Sequence, residues 1–402
     1  MRNFTVPTPF TPEFITQLAE LNSEFADSGG RVLELYGSFQ EGAFNSARPA
    51  KYLPAVRREQ FKRHVAQARD QGIAFNYLLN SPNYSNHEYT HQGRKELAQL
   101  LTLLVESGVT SVTVAVPYLV DIISSTFPQL EVVVSTIGYV GGLAGIDQYA
   151  EAGAKRIVLD MEVNRDFSFL RTAGLESPVP LEVIVNPVCL SQCHFKYNHN
   201  CVAALGSQSL LRGGVGLPYN QYYLNWCYLR KLSRESEFLK SPWIRPEDQH
   251  LWEEVGINFY KIAGRGLPGE EILRLCRAYL AQSFSGNLLD LLGWPHWLAF
   301  RDNGDGTRLP PLEVFLDNAA LDGFLDFFAQ QTPTCRLGCK RCGHCQAWSR
   351  KALRFNDPSL REQYIANMQR NIRHLVEDIP TAEQTEAALS QWQQQAARQV
   401  IK

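Results

Sequence analysis

The chain has 402 residues, 45% of them hydrophobic, with 39 basic against 41 acidic side chains. That balance excludes a chain built as a global nucleic-acid or membrane-surface binder, since neither sign of field dominates, and the apolar fraction can fill a large core. The opening Met-Arg-Asn-Phe-Thr-Val-Pro-Thr-Pro-Phe is not an export signal, and no apolar run could span a bilayer. A cytoplasmic protein without a membrane partner is expected, whose nine cysteines stay reduced and favour metal over disulfides.

Between about residues 30 and 281, short β-branched runs alternate with amphipathic stretches, the pattern of consecutive βα units around a parallel sheet. The predicted strands are Arg31–Tyr36, Ile73–Leu79, Ser111–Val116, Glu131–Ser135, Arg156–Asp160, Leu181–Val185, Trp243–Arg245 and Asn258–Ile262. Helices are predicted between them, among them Glu96–Gly108, Ile146–Gly153 and Glu270–Ala281, several closed by a glycine suited to a left-handed cap. Eight such units in this length fit a TIM-type (β/α)8 barrel over residues 1–281. An open doubly wound sheet is the alternative, but no GxGxxG follows the first strand. Residues 282–402 change character: turn-rich Asp302-Asn-Gly-Asp-Gly-Thr307, a cysteine run and then helical patterns predict a small, mainly helical, cysteine-rich C-terminal domain.

That run, Cys335-Arg-Leu-Gly-Cys339-Lys-Arg-Cys342-Gly-His-Cys345, packs four thiols into one short loop. The spacing resembles ferredoxin loops that wrap a cubane iron–sulfur cluster. Zinc is the rival, although structural zinc sites usually split their ligands into two distant pairs. A second group follows the sixth predicted strand: Cys189 and Cys193 could hold a metal, with Cys201, Cys227 or His199 completing the shell. Its position after a barrel strand places it at the C-terminal face, where barrel active sites are built. His344 reads as a loop residue, and Cys276, at helical spacing from Leu273 and Leu280, reads as core.

If the barrel closes, the residues ending its strands converge: Tyr36, Asn80, Ser135, Arg165, Asn186, Arg245 and Lys261, with Arg265 just beyond. Several cations in one pocket favour an anionic small-molecule substrate. The competing reading pairs Arg245 and Arg265 with Glu247, Asp248 or Glu162 as loop fasteners. Basic residues near the last cysteines could touch RNA, though net charge lends this no support.

Three phrases in order, Asn186-Pro-Val-Cys189-Leu-Ser-Gln-Cys193, Trp243-Ile-Arg-Pro-Glu-Asp248 and Phe259-Tyr-Lys-Ile-Ala-Gly-Arg265, resemble the collagenase-like peptidase family of unknown catalytic type. Phe75–Asn80 and Ile157–Arg165 extend the resemblance. It implies a TIM-type barrel and, in an iron–sulfur branch, [4Fe–4S] clusters with oxygen-independent hydroxylation of small molecules or RNA bases, some members being linked to prephenate as a co-substrate. Cys189, Cys193 and Cys227 then correspond to cluster ligands, with the fourth open between Cys201 and His199, and Cys335, Cys339, Cys342 and Cys345 imply a second cluster. The main expectation is an iron–sulfur redox enzyme that hydroxylates or otherwise oxidises an anionic molecule, RNA base or peptide. The alternatives are a peptidase and a non-catalytic partner subunit that joins a related subunit or electron donor. For peptidase chemistry the sequence offers neither HExxH nor GxSxG, leaving Cys193 beside His194 or His199 as the candidate nucleophile.

Overall fold

A computed structural model describes residues 1–40, 42–207, 219–294, 308–330, 338–377 and 383. Eight parallel strands close a barrel in chain order: β1 (Arg2–Pro7), β2 (Gly30–Gly37), β3 (Ala74–Leu79), β4 (Ser111–Val114), β5 (Glu131–Val134), β6 (Arg156–Val158), β7 (Leu181–Ile184) and β8 (Phe259–Lys261). The first six strands are each followed by a covering helix: α1 (Pro12–Glu24), α2 (Arg58–Asp70), α3 (His91–Glu106), α4 (Pro117–Thr126), α5 (Leu143–Glu151) and α6 (Phe167–Glu176). After β7 come α7 (Lys196–Ser207), α8 (Tyr219–Ser233) and the short α9 (Ser236–Lys240) and α10 (His250–Glu253), and after β8 comes α11 (Gly269–Ala281). The helices follow their patterns. In α11 the buried residues Ile272, Leu275, Cys276 and Tyr279 recur at the spacing of one helical face, which makes Cys276 core. The side chain of Thr90 caps α3 by accepting from the Gly93 N–H.

The TIM-type barrel expected from the sequence is present, with one exchange among its strands. Trp243–Arg245 is an extended connection and not a strand. It sends one backbone bond from Ile244 to Val185, while β7 and β8 pair directly, Val183 opposite Tyr260, and leave no slot between them. Pro242 and Pro246 flank it without an N–H to give to a ladder. The missing position is taken by β1, which pairs with both β2 and β8 and closes the cylinder. Its sequence, Arg-Asn-Phe-Thr-Val-Pro, begins with polar residues and ends in proline, so it carries little strand signal.

Strand alternation sends every second side chain into the barrel. A polar layer forms there: Arg156 pairs with Glu34 and, at 3.1 Å, with Glu182. Glu34 also accepts from Ser111 (2.6 Å) and Asn76 (3.2 Å), whose own oxygen accepts from Thr113 (2.7 Å). Buried charge needs this degree of bonding to be tolerated. Val133, Val158 and Ile184 form a separate small apolar cluster, flanked by Met161 and Ala263.

Beyond the barrel lie the antiparallel pair β9 (Val314–Leu316) and β10 (Leu353–Phe355), with α12 (Asp326–Gln330), α13 (Cys339–Cys342), α14 (His344–Ala352) and α15 (Pro358–Glu377). Leu316, Leu321, Phe324, Phe328 and Met368 belong to the same hydrophobic cluster as the barrel helices, so the C-terminal segment is packed onto the barrel.

Candidate active site at the barrel mouth

Lys261 ends β8 and is 8% exposed, and its Nζ is buried without a hydrogen-bond partner. The Tyr36 ring lies 4.2 Å from that nitrogen, held by its hydroxyl donating to the Ile262 carbonyl at 2.8 Å. Burial lowers the Lys261 pKa, against the pull of Glu182 and Glu34 in the polar layer. Four residues further on, Arg265 buries Nη1, again without a partner. Desolvation and the like charge of Arg48 bring the Arg265 pKa down to about 9. Arg48 lies between β2 and α2 and acts on the same Tyr36. Among the described residues no salt bridge to a carboxylate is formed by Arg48, Lys261 or Arg265.

The other predicted site residues have partners within the protein. Arg245, 2% exposed, donates to Asn318 at 3.0 Å and pairs with Glu247 (3.4 Å) and Asp248 (3.6 Å). Arg165 donates to the carbonyls of Leu239 (2.6 Å) and Trp243 (2.9 Å), and its guanidinium lies over the rings of Trp243, Phe324 and Phe328. Asn186 exchanges bonds with Ala263 (2.9 and 2.7 Å) and donates to Leu291, tying the ends of β7 and β8. Asn80 donates to Ser135 at 3.3 Å and accepts from the Ala47 N–H at 3.2 Å, so it fastens the loop that carries Arg48.

The barrel thiols divide. Cys189 and Cys193 come from the loop after β7 and Cys227 from α8. Cys189 has accessible surface yet sits in dense surroundings; that crowding pushes its pKa up to about 12, with Cys227 and Cys193 adding to the rise and Lys231 opposing it. Burial and Cys193 likewise raise Cys227, with Lys231 again opposing. These three thiols therefore lie within electrostatic reach of one another. Cys201 acts instead on Tyr139 and Tyr223, and His199 stacks on Tyr223 at 5.2 Å. For a soft-metal centre, Cys189, Cys193 and Cys227 fit in donor type. They stop short of a formed shell, because among the described residues no three His, Cys, Asp or Glu side chains are arranged to hold an ion. In the C-terminal run, Cys335 lies outside the described residues. Cys339 is exposed, Cys342 and Cys345 are half-buried, and both Cys339 and Cys345 act on Lys240. His344 stacks on Phe327 at 4.0 Å and bonds the Phe324 carbonyl, a packing role.

A model of peptidase family U32 matches residues 45–282. The chain belongs to that family. An uncharacterized protease of Methanocaldococcus jannaschii is 28% identical over 341 residues, 85% of this chain and 93% of the relative. A solved U32 peptidase, Mk0906, covers 66% of this chain and 94% of its own, at 18% identity and a TM-score of 0.47. Among the described residues, no helix of this U32 protein is long and apolar enough to cross a membrane.

Three participants escaped the sequence reading. Arg48 sits in a loop, Asn45-Ser-Ala-Arg48-Pro49, with no periodicity to flag it. Lys231 had a signal that went unread: it lies four residues after Cys227, on the same helical face. It is fully buried, bonding Glu237 O (2.9 Å) and Ser241 Oγ (2.5 Å), and it acts on both Cys227 and Cys189. Tyr228 is buried beside them and feels Cys227, Cys189 and Arg48 together.

Proposed function

We propose that this U32 protein is an enzyme that anchors an anionic substrate on Arg48, Lys261 and Arg265 and modifies it oxidatively, without molecular oxygen, beside a [4Fe–4S] centre held by Cys189, Cys193 and Cys227. The supporting observation is placement: Cys189 and Cys193 lie in the loop after β7, and Lys261 and Arg265 end and follow β8, the strand paired with β7. A carboxylate or phosphate at the mouth would meet two guanidinium forks and one ammonium, a strongly charge-assisted set. When bound, a thiolate-ligated cluster supplies one-electron transfer. The chain's own groups do the rest: Tyr36 fixes the floor beside Lys261, Asn80 positions the Arg48 loop, and the buried Lys231 places a positive charge by the thiols. Cys339, Cys342 and Cys345, with Cys335, are proposed to hold a second centre. Anaerobically purified protein should be brown and lose part of its iron and one of two paramagnetic signals in Cys227→Ser. Colourless protein with stoichiometric zinc contradicts the redox reading.

The second reading is peptidase, favoured by the family and by the name of the archaeal relative. The mouth then takes a peptide carboxylate. A nucleophilic cysteine needs a lowered pKa, whereas burial raises that of Cys193. Cleavage of peptides unchanged in Cys193→Ala would leave peptidase activity standing and remove that thiol from it.

A further inference from the structure

We propose that Lys261 is a covalent catalytic residue that forms an imine with the carbonyl of a small oxo acid, whose carboxylate is held by Arg265 and Arg48. This rests on the anion-anchoring reading above and deepens it.

A lysine at this depth ordinarily either pairs with a carboxylate at bonding distance or donates to carbonyls. Lys231 in the same protein does so, with two bonds at 2.9 and 2.5 Å. Lys261 does neither: it is 8% exposed, and Nζ is buried with no partner. Its surroundings suit a nucleophilic amine. One side is the face of Tyr36 at 4.2 Å, and the residues paired with it across the sheet are Ile184, part of the small apolar cluster, and the buried Thr5. Desolvation there favours the neutral amine, the form that attacks a carbonyl carbon. Two arginines, Arg265 and Arg48, stand at the same mouth without a salt bridge among the described residues, so a substrate carboxylate would find both guanidinium groups available. An oxo acid brings both an anion for the guanidinium forks and an electrophilic carbon for the amine.

The step balances without a redox partner. The nitrogen lone pair forms a C–N bond as the carbonyl pair moves to oxygen, and transfer of one proton from nitrogen to that oxygen gives a carbinolamine. A second proton from nitrogen leaves with the hydroxyl as water when the C–O bond breaks, and a C=N bond remains. Glu182, which Arg156 holds at 3.1 Å, is the carboxylate acting most strongly on Lys261, and the protons in this step pass between the amine, the substrate oxygen and water. This chemistry stands apart from the thiols. Hydrolysis of the imine restores the lysine and releases whatever product the neighbouring centre has made.

The test is reductive trapping of the purified full chain with pyruvate and cyanoborohydride, followed by peptide mapping, alongside calorimetric titration with pyruvate and with lactate. The expected result is one dominant adduct on Lys261, absent in Lys261→Arg, which keeps the charge and so reports folding through its melting temperature. Arg265→Met should slow trapping roughly tenfold, the loss of one charge-assisted contact. Lactate, which has the carboxylate and no carbonyl, should compete without labelling. Calorimetric binding of both acids with no Lys261 adduct overturns the imine and leaves the anion site intact. Labels spread evenly over surface lysines overturn it too. If neither acid binds, the anion reading fails and the imine fails with it.

Discussion

Two sets of cations crown the same barrel, and they differ in what they touch. Arg245 and Arg165 are engaged: the first bonds Asn318 and two carboxylates, and the second bonds two carbonyls and lies over three aromatic rings. Among the described residues, Arg48, Lys261 and Arg265 form no such salt bridge to a carboxylate, and Lys261 Nζ has no hydrogen-bond partner. Residue type alone could not separate the sets, because all five are basic. Their contacts separate them: the first set fastens loops to the barrel, and the second is the proposed anion site.

The largest effect that would break this contrast lies in the engaged set. Arg245→Ala leaves the buried Asp248 without its cation, and stability should drop by about 3–5 kcal/mol in chemical denaturation, the scale for removing one member of a buried pair. A loss of only a few tenths would place Arg245 with the unpartnered cations. Next comes Asp248, whose carboxyl desolvation raises to about 6 from 3.8 despite Arg245. The folded protein therefore holds that proton more tightly than the unfolded chain, so stability falls as pH rises from about 4 to about 6 and is constant above. Asp248→Asn should remove this slope, an effect of order 2–3 kcal/mol across the window; a slope that persists assigns it elsewhere. The smallest effect belongs to the free set: Arg265→Met should leave stability unchanged or raise it by about 1 kcal/mol, since it withdraws a buried charge with nothing to pair. Marked destabilisation there would show that the two sets are alike.

Legibility followed the same division. The repeated βα pattern gave the barrel, since the helical faces of α3 and α11 and the apolar runs of β4, β5 and β7 are long-range consequences of burial written locally. β1 was hidden by its arginine and proline, and Trp243–Arg245 imitated a strand because an aromatic and a β-branched residue were buried there for packing, Trp243 against Phe324 at 5.4 Å. The motif around Phe259–Arg265 led to Lys261 and Arg265, but their freedom from partners is a three-dimensional fact. Arg48 could not be found at all by spacing, because the β2–α2 loop that brings it to the mouth has no period. The cysteines were visible by type; that Cys227 joins Cys189 and Cys193 while Cys201 faces Tyr139 and Tyr223 depends on how α7 and α8 pack.

The central claim, that unpartnered cations at the barrel mouth form an anion site, is tested most directly by calorimetric titration of pyruvate into the wild type and an Arg48→Met/Arg265→Met variant, with melting temperatures measured alongside. The account predicts saturable binding to the wild type that disappears in the variant while its melting temperature holds or rises. Equal binding by both proteins, or a variant that melts well below the wild type, would contradict it.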